Sequence, residues 1–528
     1  MTRATLAGRR ICVIHPYPSA VVLERLKREG CRVVLVGGEV PHGLADERLD
    51  VPLTDFEGVA RAVVELHRSA PIEVMLPLYE GTTALTAQIA VALGLRGNKP
   101  QAALASRSKY RTYECLVAAG VKTPLTIPLM LDGNDVVRIQ QELGFPAVVK
   151  LADSMNSQGI TRVDNKIEAE QAVGELRELI EQPREIDSGR DRNRIAYGRD
   201  SVKLIAQTFC RGAEFGVDLL YSEDSHVVMG VFEKAESCGP YFPEHMSVSP
   251  TSLSPSELKQ VCELAVAAVR ALGLTLGAAH VEIRCDETGP KVLELGARPG
   301  GGLTIDAVES LTGLNSVVEL ARLLLGEGLP QAPVHTNKAV LYGGKVYTHS
   351  GKLVRVEGVT EAKRLPGVSK FFQLHKEGDL VFAMPESAQP HFCYYLIEGN
   401  SRSEVLATHD RIRAMIVLEV QPRKGDEIMK EKAAVECVSF RLRAGVSDDA
   451  FLAVNTKAQA FLRTLSGFKK RELMRDGDGW LDIVHWASRE LAIAAAQKFP
   501  TAPECQEMMS MLDPSTVQMR HLDIAMSD

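Results

Sequence analysis

Long apolar runs are missing from this chain of 528 residues, and none could span a bilayer. The N-terminus, MTRATLAGRRICVIHP, leads straight into an expected strand with no apolar leader segment. Basic blocks are missing too. Lys and Arg number 61 against 68 Asp and Glu, a net charge of −7, which argues against a nucleic-acid or membrane-surface partner. Aromatic residues are scarce at 5%, with two tryptophans, both near the C-terminus. The ten cysteines form no C-x-x-C pair, and several lie in apolar runs. That argues against a zinc site or a disulfide frame and suits reduced thiols in a cytoplasmic protein. No G-x-G-x-x-G follows the first strand, so a dinucleotide site is a poor reading. What remains is an ordinary globular composition, 45% hydrophobic and 24% charged. The length exceeds what one core supports, so three or four domains are expected.

Residues 10–100 alternate apolar strands (RRICVIHP, RVVLVGG, IEVMLPL) with helical patterns. That alternation predicts a doubly wound parallel sheet, with ligands at the carboxyl ends of its strands, near His15-Pro16 and Glu80-Gly81-Thr82. A helix is expected over 106–125, closed by Gly120. A strand (PAVVKLA), a small polar loop and a return strand (ITRV) follow over 145–165. The charged, aperiodic stretch 181–200 reads as an excursion. Strands are expected at 202–209 and 214–222, a helix at 255–272, and mixed strands with a helix at 402–415 over 335–420. After the polar stretch 421–432, the order strand, helix, hairpin, helix, strand predicts a ferredoxin-like β-α-β-β-α-β unit.

The most informative stretch is HVEIRCDETGPKVLELGARPGGG, residues 280–302. It reads as two strands and a turn, with Glu282 on the first strand and Glu294 on the second, running into Arg298 and three glycines. Carboxylates facing one another across a hairpin suit Mg²⁺, which takes one or two carboxylates with phosphate oxygens and waters. A surface hairpin with scattered charges is the competing reading.

The order of parts carries more than any one part. Lys109 opens a helix. Lys150 ends a strand before a loop with Ser157, Gln158 and Gly159. A strand leads through Gln207, Thr208, Phe209 and Cys210 to Gly212 and Glu214, and the paired glutamates and Arg298 come last. Over residues 10–420 this order resembles the ATP-grasp superfamily, and within it the L-amino-acid ligases that make dipeptides. The resemblance implies ATP with Mg²⁺, or Mn²⁺ in its place. Lys109 and Lys150 would bind phosphates, and the loop Ser154–Gly159 would fold over them. Gln207 to Cys210 would hold adenine, Glu214 the ribose, and Glu282 and Glu294 the metal. Arg298 would contact the transferred phosphoryl group, so Arg298, Lys150 and Glu294 form the implied catalytic set. Three departures stand out: Gln207 replaces a usual glutamate, the phosphate loop is poor in glycine, and Gly296 replaces a usual asparagine metal ligand, a place water would fill.

The same resemblance implies that a carboxylate is activated as an acyl-phosphate and joined to an amine, releasing ADP and phosphate. The small domain around Lys150 and the stretch 181–200 become lid candidates. Lys234 would reach the γ-phosphate, and Glu80, Glu244, His245, Arg298 and Gly301 would border the substrates. Glu80 as a helix cap and His245 as a surface histidine are the plainer readings. The expected divisions are 1–105 (Rossmann-like), 106–425 (ATP-grasp, with a lid over about 125–210 and a large part over about 211–425) and 433–528. The last resembles the antibiotic-biosynthesis monooxygenase-like family of small dimeric barrel units. There Trp480 and Trp486 share a strand face beside His485 and His521, which favours core or dimer interface over a cofactor site. The partners implied are a small carboxylate, an amine and a second copy of the chain. Rival readings are another carboxylate-activating ATP-grasp enzyme (purine-pathway or biotin-carboxylase-like), a nucleotide-binding protein without chemistry, and an active terminal domain.

Overall fold

The computed structural model describes the chain apart from residues 1–4, 17–19, 39, 155–156, 182–196, 199–200, 236–240, 334–337, 388, 423–433, 466–467, 487–488 and 524–528. It falls into two compact units, Met1–Gln421 and Pro422–Asp528. Most of the 181–200 stretch and of the polar stretch at 421–432 lies outside the described residues. Among the described residues no helix is long and apolar enough to cross a membrane.

The first unit opens with a parallel sheet in the order Glu47–Leu49, Arg32–Gly37, Arg10–His15, Val74–Leu76. Its central strands are apolar nearly throughout because both faces are covered. The three-residue edge strand, ERL, is too short and polar to read from sequence. The expected helix at 106–125 is Lys109–Ala118, where the Ser108 hydroxyl accepts from the Arg111 N–H and sets the start. A further helix, Pro100–Arg107, precedes it with proline at its first position, and was not expected.

A second, antiparallel sheet runs Thr126–Leu129, Leu204–Thr208, Ala147–Leu151, Ile160–Val163, with the unanticipated helix Lys166–Glu181 packed on it. The largest sheet has eight antiparallel strands: Gly289–Gly296, Gly277–Asp286, Ala213–Tyr221, His226–Lys234, Met246–Ser249, Ala339–Val346, His391–Gly399 and Val368–Gln373. Helix Pro255–Ala271 starts with a complete capping box between Ser254 and Glu257. Helices Thr304–Thr312 and Ser316–Leu325 were not expected. The second has eight of its ten residues buried. One apolar core joins Ile11, Val13 and Leu35 of the parallel sheet to Leu220, Phe232, Val308 and Leu320.

The second unit is ferredoxin-like. Its antiparallel strands run Phe468–Asp476, Gly479–Trp486, Ala434–Phe440, Gln518–Asp523, as the β-α-β-β-α-β reading requires. An extra helix, Pro503–Met511, precedes the last strand. Along Gly479–Trp486 burial alternates strictly, and Trp480 and Trp486 point into the unit's own core. They serve that core and are not offered to another molecule.

Candidate active site

Strand pairing fixes the first element of the site. Glu282 and Glu294 are direct cross-strand partners in the hairpin, and the register shifts immediately after Glu282. Both line one cavity in the unit 1–421. So do Lys109 and Lys150, which are 6% and 5% exposed.

Lys150 alternates with Val149 and Leu151, which face the small sheet's core. Among the described residues it has no ion-pair partner. Burial pushes its ammonium down to about 8, although Glu294 attracts the charge. A buried ammonium so placed calls for an anionic ligand. Lys109 is held at the helix start, with Nζ 2.5 Å from the Ser154 carbonyl oxygen and 3.1 Å from a Glu294 oxygen. Ser154 and Ser157 line the cavity, whereas Gln158 and Gly159 do not. Gly159 instead lies against Leu151 and Leu176.

Lys234 bridges three carboxylates: Glu214 at 2.9 Å, Glu244 at 2.6 Å and Glu282 at 2.8 Å. Burial alone would lower its basicity, but those carboxylates outweigh burial and hold it well above the usual lysine range. Behind Glu282 stands His280, which sequence reading missed. Its Nδ1 is 3.1 Å from Asp218, and despite burial Asp218 raises the imidazole to about 10. Burial would raise Glu282, yet Lys234 and His280 hold it well below the carboxylate range. The network therefore keeps Glu282 ionised.

Gln207, Thr208, Phe209 and Cys210 line the cavity together. Gln207 Nε2 donates to Thr126 Oγ1 at 2.9 Å, so the neutral amide has a partner in the wall. Arg284, also missed, donates to the Cys210 carbonyl at 2.9 Å and meets Glu214 at 3.1 Å. Val148, Ile160, Phe209 and Leu293 make this part of the cavity apolar.

Glu80 lies at the carboxyl end of the parallel sheet, as expected, and lines the cavity. Its side chain caps no helix. It meets Arg298 Nε at 2.7 Å and Arg107 at 3.4 Å. This explains Gly296, where a Cβ would stand 2.6 Å from a Glu80 oxygen. Gly301 lines the cavity beside Arg298.

His245 and the Glu244 side chain also line the cavity, so His245 is no surface histidine. Burial, then Arg413, lowers the His245 imidazole. The His245 ring stacks over His409, whose Nδ1 bonds the Tyr395 hydroxyl at 2.9 Å. His391 and Tyr394 complete this wall. They come from the stretch read only as mixed strands, which offers no motif to mark them. Residues 236–240 of the expected substrate loop are outside the described residues.

No cluster of three or more His, Cys, Asp or Glu able to hold a metal occurs among the described residues. The cross-strand pair Glu282 and Glu294 fits a hard cation that takes its other ligands from phosphate oxygens and water.

Comparisons with known proteins agree with this arrangement. Residues 143–307 match the ATP-grasp domain family, and residues 346–421 match the L-amino acid ligase C-terminal domain 2 family. Carnosine synthase 1 of Gallus gallus is 26% identical over 323 residues, 58% of this chain and 34% of the synthase. Dapdiamide A synthase of Enterobacter agglomerans is 23% identical over 290 residues, 53% of this chain and 64% of that enzyme. The chain thus spans only a third to two thirds of these curated relatives. The crystal structure of L-amino acid ligase from Bacillus licheniformis superposes with a TM-score of 0.66 at 22% identity, covering 80% of this chain and all of that one. The chain carries an ATP-grasp domain followed by an L-amino acid ligase C-terminal domain.

Proposed function

We propose that the protein is an ATP-dependent carboxylate–amine ligase, which activates a carboxylate as an acyl-phosphate and joins it to an amine, giving an amide or dipeptide, ADP and phosphate. The observation that carries this is the convergence of two buried lysines, a cross-strand glutamate pair and Arg298 on one cavity. Phosphoryl transfer needs little covalent help; it needs positioning and charge neutralisation. Lys109 and Lys150 supply positive charge for the phosphates. The apolar wall around Val148, Ile160 and Phe209 suits the face of a purine. Glu282 and Glu294 would hold Mg²⁺, or Mn²⁺ in its place, and that ion would neutralise phosphate charge when bound. Arg298, held by Glu80, is placed to stabilise negative charge on the reacting acyl group. The amino acids are our choice for both substrates, in keeping with the named relatives.

Substitution tests this reading. Glu294→Gln and Arg298→Ala should each reduce ADP release at least about 100-fold, with an unchanged melting temperature. Full turnover in either variant would remove its residue from the site.

We also propose a homodimer formed through the C-terminal unit in a cytoplasmic setting. The open face of its sheet carries Val435, Leu481 and Ile483, half-buried, with Met474 and Leu522 exposed. The cysteines described as free, several of them buried, suit a reducing compartment.

A further inference from the structure

We propose that Arg107, which does not itself line the cavity, is a positioning residue for Arg298. It holds the far side of the Glu80 carboxylate, and so sets the direction of the Arg298 guanidinium and how much of its charge Glu80 cancels. The inference rests on the ligase reading above, in which Arg298 meets the reacting acyl group.

Arg107 is 5% exposed and is the last residue of the helix Pro100–Arg107. Ser108 follows and caps the next helix, so the backbone is fixed on both sides. Arg107 Nη1 meets Glu80 Oε1 at 3.4 Å, and Nη2 donates to the Asp153 carbonyl at 3.1 Å. Its Nε is buried with no hydrogen-bond partner among the described residues, so those two contacts hold the guanidinium. The Asp153 carbonyl is a firm anchor. Lys109 donates from its backbone N–H to the Ala152 carbonyl at 2.8 Å and from Nζ to the Ser154 carbonyl at 2.5 Å. The peptide groups on either side of Asp153 are therefore held without Arg107.

Glu80 is placed as firmly. The Thr82 hydroxyl donates to the Ile14 carbonyl at 2.8 Å and the Thr83 hydroxyl to the Glu80 carbonyl at 3.0 Å, which fixes the turn. Glu80 Oε2 meets Arg298 Nε at 2.7 Å, and Arg298 Nη1 donates to the Pro299 carbonyl at 2.8 Å.

One carboxylate thus stands between two guanidiniums, one buried and one on the cavity. A carboxylate paired with Arg298 alone would cancel most of its charge and would be free to pull it out of line. Shared with Arg107, the same carboxylate leaves one net positive charge in the trio, presented to the cavity at Arg298. An arginine suits the buried place, since its planar fork reaches a carboxylate and a carbonyl at once.

The test compares wild type with Arg107→Met, Glu80→Gln and the double variant. Arg107→Met leaves Glu80 paired with Arg298, so no buried charge is stranded, and the double variant removes the buried pair together. Amide formation and equilibrium ATP binding would be measured well below each melting temperature. For Arg107→Met we expect kcat lower by about 10–100-fold and ATP affinity within about threefold of wild type. Arg107→Lys, which keeps the charge beside Glu80, should recover part of that loss. In the Glu80→Gln background Arg107→Met should cost little more, because Arg107 acts through Glu80. A kcat equal to wild type in Arg107→Met overturns the role. So does a loss shared equally by ATP affinity, or a full further loss in the Glu80→Gln background, either of which would make Arg107 a support of the fold alone. If the wild type binds ATP but forms no amide with any pair tried, the ligase reading itself falls, and this inference with it.

Discussion

Lys150 shows what a single residue reveals before and after folding. The sequence FPAVVK already puts an ammonium at the end of an apolar strand, where it needs an anion. The structure adds the cost of burial, which brings the group to about 8. In the free protein it is therefore charged below that pH and loses its proton above it. ATP affinity should be level up to about pH 8 and then weaken, approaching roughly tenfold per pH unit. Lys150→Arg, whose guanidinium stays charged, should flatten the profile. Equilibrium nucleotide binding across pH 6.5–9.5 checks this, and a level wild-type profile would contradict it. Glu294 and Arg298 were legible because each belongs to an ordered motif. His280, Arg284 and His391 were not, since a lone histidine or arginine acquires its meaning from partners distant in sequence: Asp218, Glu214 and the Glu244 carbonyl. Gly296 was readable only as a departure, and its cause, the Glu80 carboxylate, stands on the short turn that follows the strand Val74–Leu76.

At the scale of elements, period and turn chemistry gave the hairpin 277–296, three of the small sheet's four strands and the helix at 402–415, while Thr126–Leu129 was not read. Among the missed elements, Glu47–Leu49 is three residues long, too short to show a period. One glycine tests how the strand carrying Glu214 is set. Gly212 has φ +92°, and a Cβ there would fall on the Cys285 carbonyl of the neighbouring strand. Gly212→Ala should cost about 1–3 kcal/mol or more and weaken nucleotide binding. Denaturant titration reads the first effect, and a midpoint equal to wild type would show that the two strands separate freely.

Over the whole molecule, two units divide the work in our account. The first contains the whole cavity, and the second offers a sheet with one face covered by its own helices and an open face with exposed apolar side chains. The two tryptophans were expected to serve either core or interface, and their burial in the unit's core leaves the open face for a second copy. Sedimentation of the full chain should give a dimer. Leu522→Glu, which sets a charge on that face, should give a monomer that keeps nucleotide binding. A wild-type monomer at micromolar concentration would contradict the assignment. The overall fold was legible because strand–helix alternation and the order of motifs survive without coordinates. The cavity wall of His245, His391 and Tyr394 was not, because it forms only when the 241–246 segment meets the strand 391–399.

Acyl-phosphate formation is the central claim, and an isotope tests it directly. A carboxylate substrate labelled with ¹⁸O in both oxygens would be turned over with ATP, Mg²⁺ and an amine, and the phosphate and product weighed by mass spectrometry. We predict one ¹⁸O in the released phosphate, one in the amide, and ADP as the nucleotide product. Unlabelled phosphate, or AMP in place of ADP, would contradict activation of the carboxylate by γ-phosphoryl transfer.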